Sequence, residues 1–301
     1  MSVALQDQKV VVTGGTSGIG QAIAMAAARA GANVAFCGLT SAGADVTRTA
    51  IEQCDRRAYF EALDLTDLAA ARRFARNAID ALGGLDALVN NAGADFYRGV
   101  RVTTHEDIER ALGLNFYPAW AISQEVYPAL KEAGGGVVVN IASVHAERTI
   151  PGAFPYNVSK AALVALTKSL AIEWGRDNIR AVAVAPAHIF VPLTEAYLSS
   201  VSDPSAVLAS WESRYPVGRV GRPEEVAALV VSLLGEAGRF VSGTTIFVDG
   251  GISALMQTPD TYLHDYRRRA GQKHGGLASL ALMSRAIKRR ARTRFLGAGR
   301  H

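Results

Sequence analysis

The sequence predicts an α/β fold, a doubly wound parallel sheet with helices on both faces. Three observations predict it. Short apolar runs alternate with longer stretches of helical periodicity along the chain. The runs are continuously apolar, as in Val10-Val11-Val12 and Val137-Val138-Val139, which suits strands covered on both sides. A glycine-rich turn from Gly14 to Gly20 separates the first run from the first helical stretch.

Taken in order, residues 9–13 form the first strand. The helix after the turn places Ile19, Ile23, Ala26, Ala27 and Ala30 on its apolar side and ends at Gly31. Residues 33–37 are the second strand, and a helix spans about 42–54. The third strand covers 58–64 and the next helix 67–82. The fourth strand, 85–89, runs into Asn90-Asn91-Ala92-Gly93. A single long helix is expected over 105–133, stopped by Gly134-Gly135-Gly136, with a strand at 137–141. A helix around Tyr156 continues to about Trp174. A strand at 182–184, a helix over 223–235 opened by Pro223-Glu224-Glu225, and a strand at 244–248 complete the pattern.

The 301 residues are 49% hydrophobic and 20% charged, enough for a large core. Cys37 and Cys54 offer neither a disulfide framework nor a metal cluster. The N-terminal residues lack a signal-peptide pattern, and no apolar run reaches the ~18–20 residues that span a membrane. The expected location is cytoplasmic. The net charge of +5 is unevenly spread, because residues 259–301 carry eleven Lys and Arg against two Asp and Glu. Residues 1–258 therefore read as one domain, and 259–301 as a basic C-terminal extension. In the extension, Leu277, Leu280, Met283 and Ile287 share one helical face, and Arg285, Lys288, Arg289 and Arg292 another. That pattern fits contact with an anionic surface; a solvated or partly disordered tail competes with it. Nucleic acid is disfavoured because no aromatic residues interleave the basic ones.

Tyr156 and Lys160 stand at i and i+4 on one helix, so their side chains share a face. An ammonium beside a phenol favours phenolate and draws its pKa down from ~10 toward neutrality, which makes the pair a candidate acid/base. The stretch Thr13-Gly14-Gly15-Thr16-Ser17-Gly18-Ile19-Gly20 lies where a phosphate-binding loop belongs. Gly14 suits the tight turn, Gly18 the approach of a pyrophosphate, and Gly20 the packing of helix on strand.

These motifs, with Asn90-Asn91-Ala92-Gly93, Asn115 and Ser143, occur in the order and spacing of the short-chain dehydrogenase/reductase family, which residues 7–252 resemble. The resemblance implies a Rossmann-type fold and an NAD(P)-dependent enzyme that interconverts a secondary alcohol, or hemiacetal, and a carbonyl. It implies that Tyr156 exchanges the substrate proton and that Lys160 lowers the Tyr156 pKa and bonds the nicotinamide ribose. Ser143 would hold the substrate oxygen, and Asn115 a water leading from Lys160. Taken singly, Ser143 also reads as a strand-end hydroxyl and Asn115 as a helix-kink amide. The implied cofactor contacts are Gly14, Thr16, Ser17, Gly18, Ile19, Gly20, Leu39, Asp64, Leu65, Asn91, Ala92, Gly93, Tyr156, Lys160, Pro186 and Ile189. Asp64 would face adenine; capping of the next helix competes with that. A dimer or tetramer is the family expectation.

The cofactor is NAD or NADP. An acid after the second strand would select NAD and a base NADP, but Gly38 and Leu39 occupy those positions. With no cation to meet a 2′-phosphate, the reading leans to NAD. The substrate side offers Asp95, His145, Glu147 and His188, polar groups that suit a polyol, aldose or sugar acid. Residues 192–216, with Tyr197, Trp211 and Tyr215, are expected to form a mobile lid. Two alternatives stay open: a reductase of a bulky ketone or quinone, and a dinucleotide-binding sensor or scaffold acting through the tail.

Overall fold

The computed structural model describes residues 5–255. Seven strands form one sheet: β1 (Lys9–Val12), β2 (Asn33–Gly38), β3 (Ala58–Ala62), β4 (Ala87–Asn90), β5 (Gly136–Ile141), β6 (Ile179–Pro186) and β7 (Thr244–Val248). Their order is β3-β2-β1-β4-β5-β6-β7, and every neighbouring pair is parallel. The helices are α1 (Gly18–Arg29), α2 (Ala44–Glu52), α3 (Leu68–Leu82), α4 (His105–Asn115), α5 (Tyr117–Glu132), α6 (Tyr156–Trp174), α7 (Pro192–Ser200), α8 (Pro204–Glu212) and α9 (Pro223–Leu234).

The strand period of two divides the core between the two faces. Val10 and Val12 pack with Ile23 and Ala27 of α1 and Val226 and Val230 of α9. Val11 points the other way, to Phe74 and Ala78 of α3 and Ile122 and Val126 of α5. Both faces are therefore apolar, which explains why the strands read as unbroken runs. Phe36 and Phe74, one on each side, are fully buried; each contributes about 1.5–3 kcal/mol by leaving water.

The chain winds outward from β1 to β3, then restarts at β4 on the other side of β1. At that switch the connections leave the carboxyl ends of β1 and β4 in opposite directions, and a crevice opens between them. The glycine turn follows β1 and Asn91-Ala92-Gly93 follows β4, so both motifs are brought to this crevice.

Two expectations need correction. The helix expected over 105–133 is two helices, parted at Phe116 with φ −125° and ψ −53°. Pro118, in the first turn of α5, has no N–H to offer the carbonyl of Leu114, which suits a helix start at this place. Asp64 does not cap α3. That cap is Asp67, whose Oδ1 accepts from the N–H groups of Ala69 (2.9 Å) and Ala70 (3.1 Å), while Asp64 accepts from Thr66 N and Oγ1, both at 2.8 Å. The 192–216 segment holds α7 and α8, each opened by a proline in its first turn. The expectation of an amphipathic helix in the tail falls outside the described residues. No helix among the described residues is long and apolar enough to cross a membrane.

Candidate active site

The crevice is a cleft of about 1480 Å³. Its nucleotide side begins with backbone. Gly14 and Gly18 adopt left-handed φ of +67° and +55°, which a side chain would strain. The turn is tied down on both flanks. Gly15 N donates to Cys37 O (2.8 Å). Asn91 Nδ2 donates to Thr13 O (2.9 Å), and the N–H groups of Asn91 and Ala92 donate to Thr13 Oγ1 at 2.9 and 3.0 Å. Gly20 lies behind the wall: a Cβ there would fall 2.2 Å from Gly14 O and 2.3 Å from Asn91 Nδ2. Ser17 starts α1 without a side-chain cap bond, so the first-turn N–H groups and the helix dipole are available to an anion in the cleft.

Further along the wall come Gly38, Leu39, Asp64 and Leu65. Gly38 has no room for a side chain, since a Cβ would sit 2.6 Å from Cγ2 and Oγ1 of Thr16. Leu39 is 71% exposed. The acid-or-base selector position is thus filled by the Thr16 side chain.

Ser143, Tyr156 and Lys160 meet at the floor, and all three are buried. Ser143 follows β5, and its Oγ accepts from His145 N (3.2 Å). Lys160 Nζ donates to Ile141 O (3.0 Å). Asn115 lies behind this floor. Its Oδ1 accepts from Ala94 N (2.9 Å), and its Nδ2 donates to Ala94 O (3.0 Å) and Ser159 Oγ (2.9 Å). The helix break at Phe116 frees Asn115 to hold the strand-end loop and α6 together. Gly93 fits between them: a Cβ there would be 2.9 Å from Asn115 Oδ1 and 3.2 Å from Lys160 Nζ.

The expected depression of the Tyr156 pKa is not what this arrangement produces. Burial pushes the phenol up, the Asp95 charge adds to that, and the Ser143 hydrogen bond opposes both. Burial also lowers the Lys160 ammonium to about 8. The reason is that burial has the largest influence on both groups, and desolvation penalises both charged forms.

The substrate side is built from side chains. The rings of Tyr97, His145 and Tyr156 form an edge-to-face triangle with centroid separations of 5.3 to 5.9 Å. His188 packs on Trp211 at 4.4 Å, and Trp211 stacks on Tyr197 at 5.7 Å. His188 N donates to Tyr215 Oη (3.1 Å). Burial lowers the pKa of both His145 and His188, and the Asp95 charge opposes it in both. Asp95, His145 and His188 line the cleft, as do Thr16, Ile19, Pro186 and Ile189. Glu147 does not: it is exposed and off the wall, although His145 before it and Arg148 and Ile150 after it line the cleft. Ile150, Leu193, Trp211 and Arg214 also line this side, and sequence reasoning missed them as substrate contacts. Folding of the 192–216 segment over the floor brings in Leu193, Trp211 and Arg214, while Ile150 comes from the loop after β5.

The family model describing enoyl-(acyl carrier protein) reductase matches residues 14–253. A tropinone reductase homologue of Arabidopsis thaliana is 34% identical, over 83% of this chain and 80% of its own. The 4-formylbenzenesulfonate dehydrogenase of Comamonas testosteroni is 36% identical, over 82% and 98%. Among solved structures, 7α-hydroxysteroid dehydrogenase in complex with NADH and 7-oxo glycochenodeoxycholic acid superposes with a TM-score of 0.76 at 31% identity, covering 83% of this chain and 96% of that one. The chain belongs to the short-chain dehydrogenase/reductase family. As a member of that family it is an NAD(P)-dependent oxidoreductase acting on CH–OH or C=O groups. The residues present fit a dinucleotide: the free α1 N-terminus and the side-chain-free Gly14 and Gly18 offer a cradle for a pyrophosphate.

Proposed function

We propose that this short-chain dehydrogenase/reductase oxidises a secondary alcohol, or reduces the matching carbonyl, with Tyr156 as the general acid/base. The observation that carries this is the convergence of the buried Ser143, Tyr156 and Lys160 side chains on the floor of one cleft. Two hydroxyls so held can both reach one substrate oxygen. Ser143 orients it, and Tyr156 takes its proton in oxidation or returns it in reduction. The nicotinamide, when bound, exchanges the hydride. Lys160 keeps a positive charge below this oxygen and stabilises negative charge as it develops. Asn115 holds the loop beneath Lys160 in place and offers the amide for a proton path.

The cofactor reading leans to NAD, supported by the absence of a basic side chain at Gly38 and Leu39 to meet a 2′-phosphate. The substrate reading is a polyol, aldose or sugar acid, supported by Asp95, His145 and His188 on the wall. A second reading is a bulky ketone or quinone. The apolar wall of Tyr97, Ile150, Leu193 and Trp211 favours it, as do a steroid and an aromatic aldehyde among the relatives' substrates. Assembly as a homo-oligomer in the cytoplasm is part of the proposal, supported by exposed apolar side chains such as Ile172 and Phe240.

Tyr156→Phe decides the mechanism. Expected is a loss of kcat of about 10³-fold with cofactor affinity within twofold, read by nicotinamide absorbance and fluorescence titration. Retained turnover would remove Tyr156 as the acid/base. Polyols, aldoses and hydrophobic ketones, each with NAD and NADP, separate the substrate and cofactor readings.

A further inference from the structure

We infer that Asp95 orients the substrate by accepting a hydrogen bond from a hydroxyl or ammonium group on the carbon next to the reacting one. This rests on the dehydrogenase reading above and names the substrate class within it: an alcohol or ketone with a neighbouring donor.

The backbone on both sides of Asp95 is clamped to the floor. On one side, Ala94 N and O both bond the Asn115 amide, at 2.9 and 3.0 Å. On the other, Phe96 O accepts from Tyr156 N (3.3 Å), and Tyr97 bridges to Pro155, the residue before Tyr156. The main chain that carries this carboxylate is thus tied at both ends to the elements of the floor. Its charge is felt by groups on separate elements: it favours the protonated forms of Tyr97, His145, Tyr156, Lys160 and His188. These groups converge on the same part of the cleft.

Asp95 is itself in the wall, and among the described residues it has no hydrogen bond and no ion pair. Arg98, three positions on, is instead paired with Asp107 at 3.3 Å. Asp95 is exposed to the open cleft, so its carboxylate is hydrated until a substrate carrying a donor replaces that water; it also repels an anion placed beside the carbinol carbon. Arg148 and Arg214 also line the cleft, and both are exposed. They are the groups an anionic substrate would use instead.

Four alcohols that differ in one substituent on the carbinol carbon test this: propane-1,2-diol, 1-aminopropan-2-ol, propan-2-ol and lactate. Oxidation by the full-length protein is measured with NAD and NADP. The two donors are expected to surpass propan-2-ol, and lactate to fall below it. Asp95→Asn should shrink the preference for the diol over propan-2-ol about 10- to 100-fold and raise lactate relative to the others. Glu147→Gln, off the wall, should leave the wild-type preference in place. The same alcohols are followed by ligand-observed NMR with cofactor present, which needs no turnover. Donor preference in binding but no oxidation of any alcohol would remove the dehydrogenase reading for these substrates and leave the role of Asp95 intact. An equal preference in wild type and Asp95→Asn, no detectable binding of either donor, or lactate as the favoured substrate would overturn the inference.

Discussion

The two walls of the cleft are made of different material. The nucleotide wall is backbone: a turn with left-handed Gly14 and Gly18, held by Thr13 and Asn91. The substrate wall is side chains: the Tyr97–His145–Tyr156 triangle and the His188–Trp211–Tyr197 stack. A backbone wall tolerates almost no added atoms. A side-chain wall can be trimmed, and trimming it changes which substrate fits.

Breaking the backbone wall should have the largest effect. Gly20→Val would drive a side chain into Gly14 O and Asn91 Nδ2. Expected is destabilisation of about 3 kcal/mol in urea unfolding, with cofactor binding lost in a fluorescence titration. Wild-type affinity would mean that the turn is not held as described.

The floor, where the walls meet, comes next. Lys160 titrates at about 8 in the folded chain, against ~10.4 unfolded. Between those values the unfolded chain holds a proton that the folded chain has released, so rising pH stabilises wild type. Relative to Lys160→Met, wild type should gain on the order of 2 kcal/mol from pH 7.5 to 9.5. Melting curves at the two pH values measure this, and a constant difference would contradict the burial of that ammonium.

A smaller effect sharpens the nucleotide wall. Gly38→Asp, the substitution that would supply the missing acid, meets Thr16 at 2.6 Å. It should cost about 1–2 kcal/mol and fail to improve NAD binding, whereas Gly38→Asp with Thr16→Gly should recover both. Calorimetric titration with NAD and NADP reads the outcome. On the substrate wall, Trp211→Ala removes ring contacts worth about 1 kcal/mol. KM should rise about fivefold with cofactor affinity unchanged. A loss of cofactor affinity instead would show that the lid serves both walls.

The nucleotide wall was legible because its chemistry depends on residues close in sequence. Gly14, Gly18 and Gly20 carry their meaning in their spacing, and the junction of strand and helix can be read from the apolar pattern. The substrate wall was only partly legible. Asp95, His145 and His188 were found because each follows a strand end. Glu147 was misplaced because position in a loop does not say which way a side chain faces: His145 and Arg148 line the cleft and Glu147 between them does not. Trp211 was expected only as part of a lid and Arg214 was not singled out, because their approach depends on how α8 and the residues after it lie over the floor.

By itself the sequence determined the strand–helix alternation, the doubly covered sheet, the glycine turn and the Tyr156–Lys160 pairing, since all of these follow from local periodicity and spacing. Only the tertiary structure decided that Thr16 fills the place of a Gly38 side chain. It alone broke the 105–133 helix so that Asn115 reaches Ala94. It also turned Lys160 to Ile141, leaving burial rather than the neighbouring charge to set the Tyr156 phenol. Contacts and desolvation depend on what the rest of the chain brings near, and that information lies far away in the sequence.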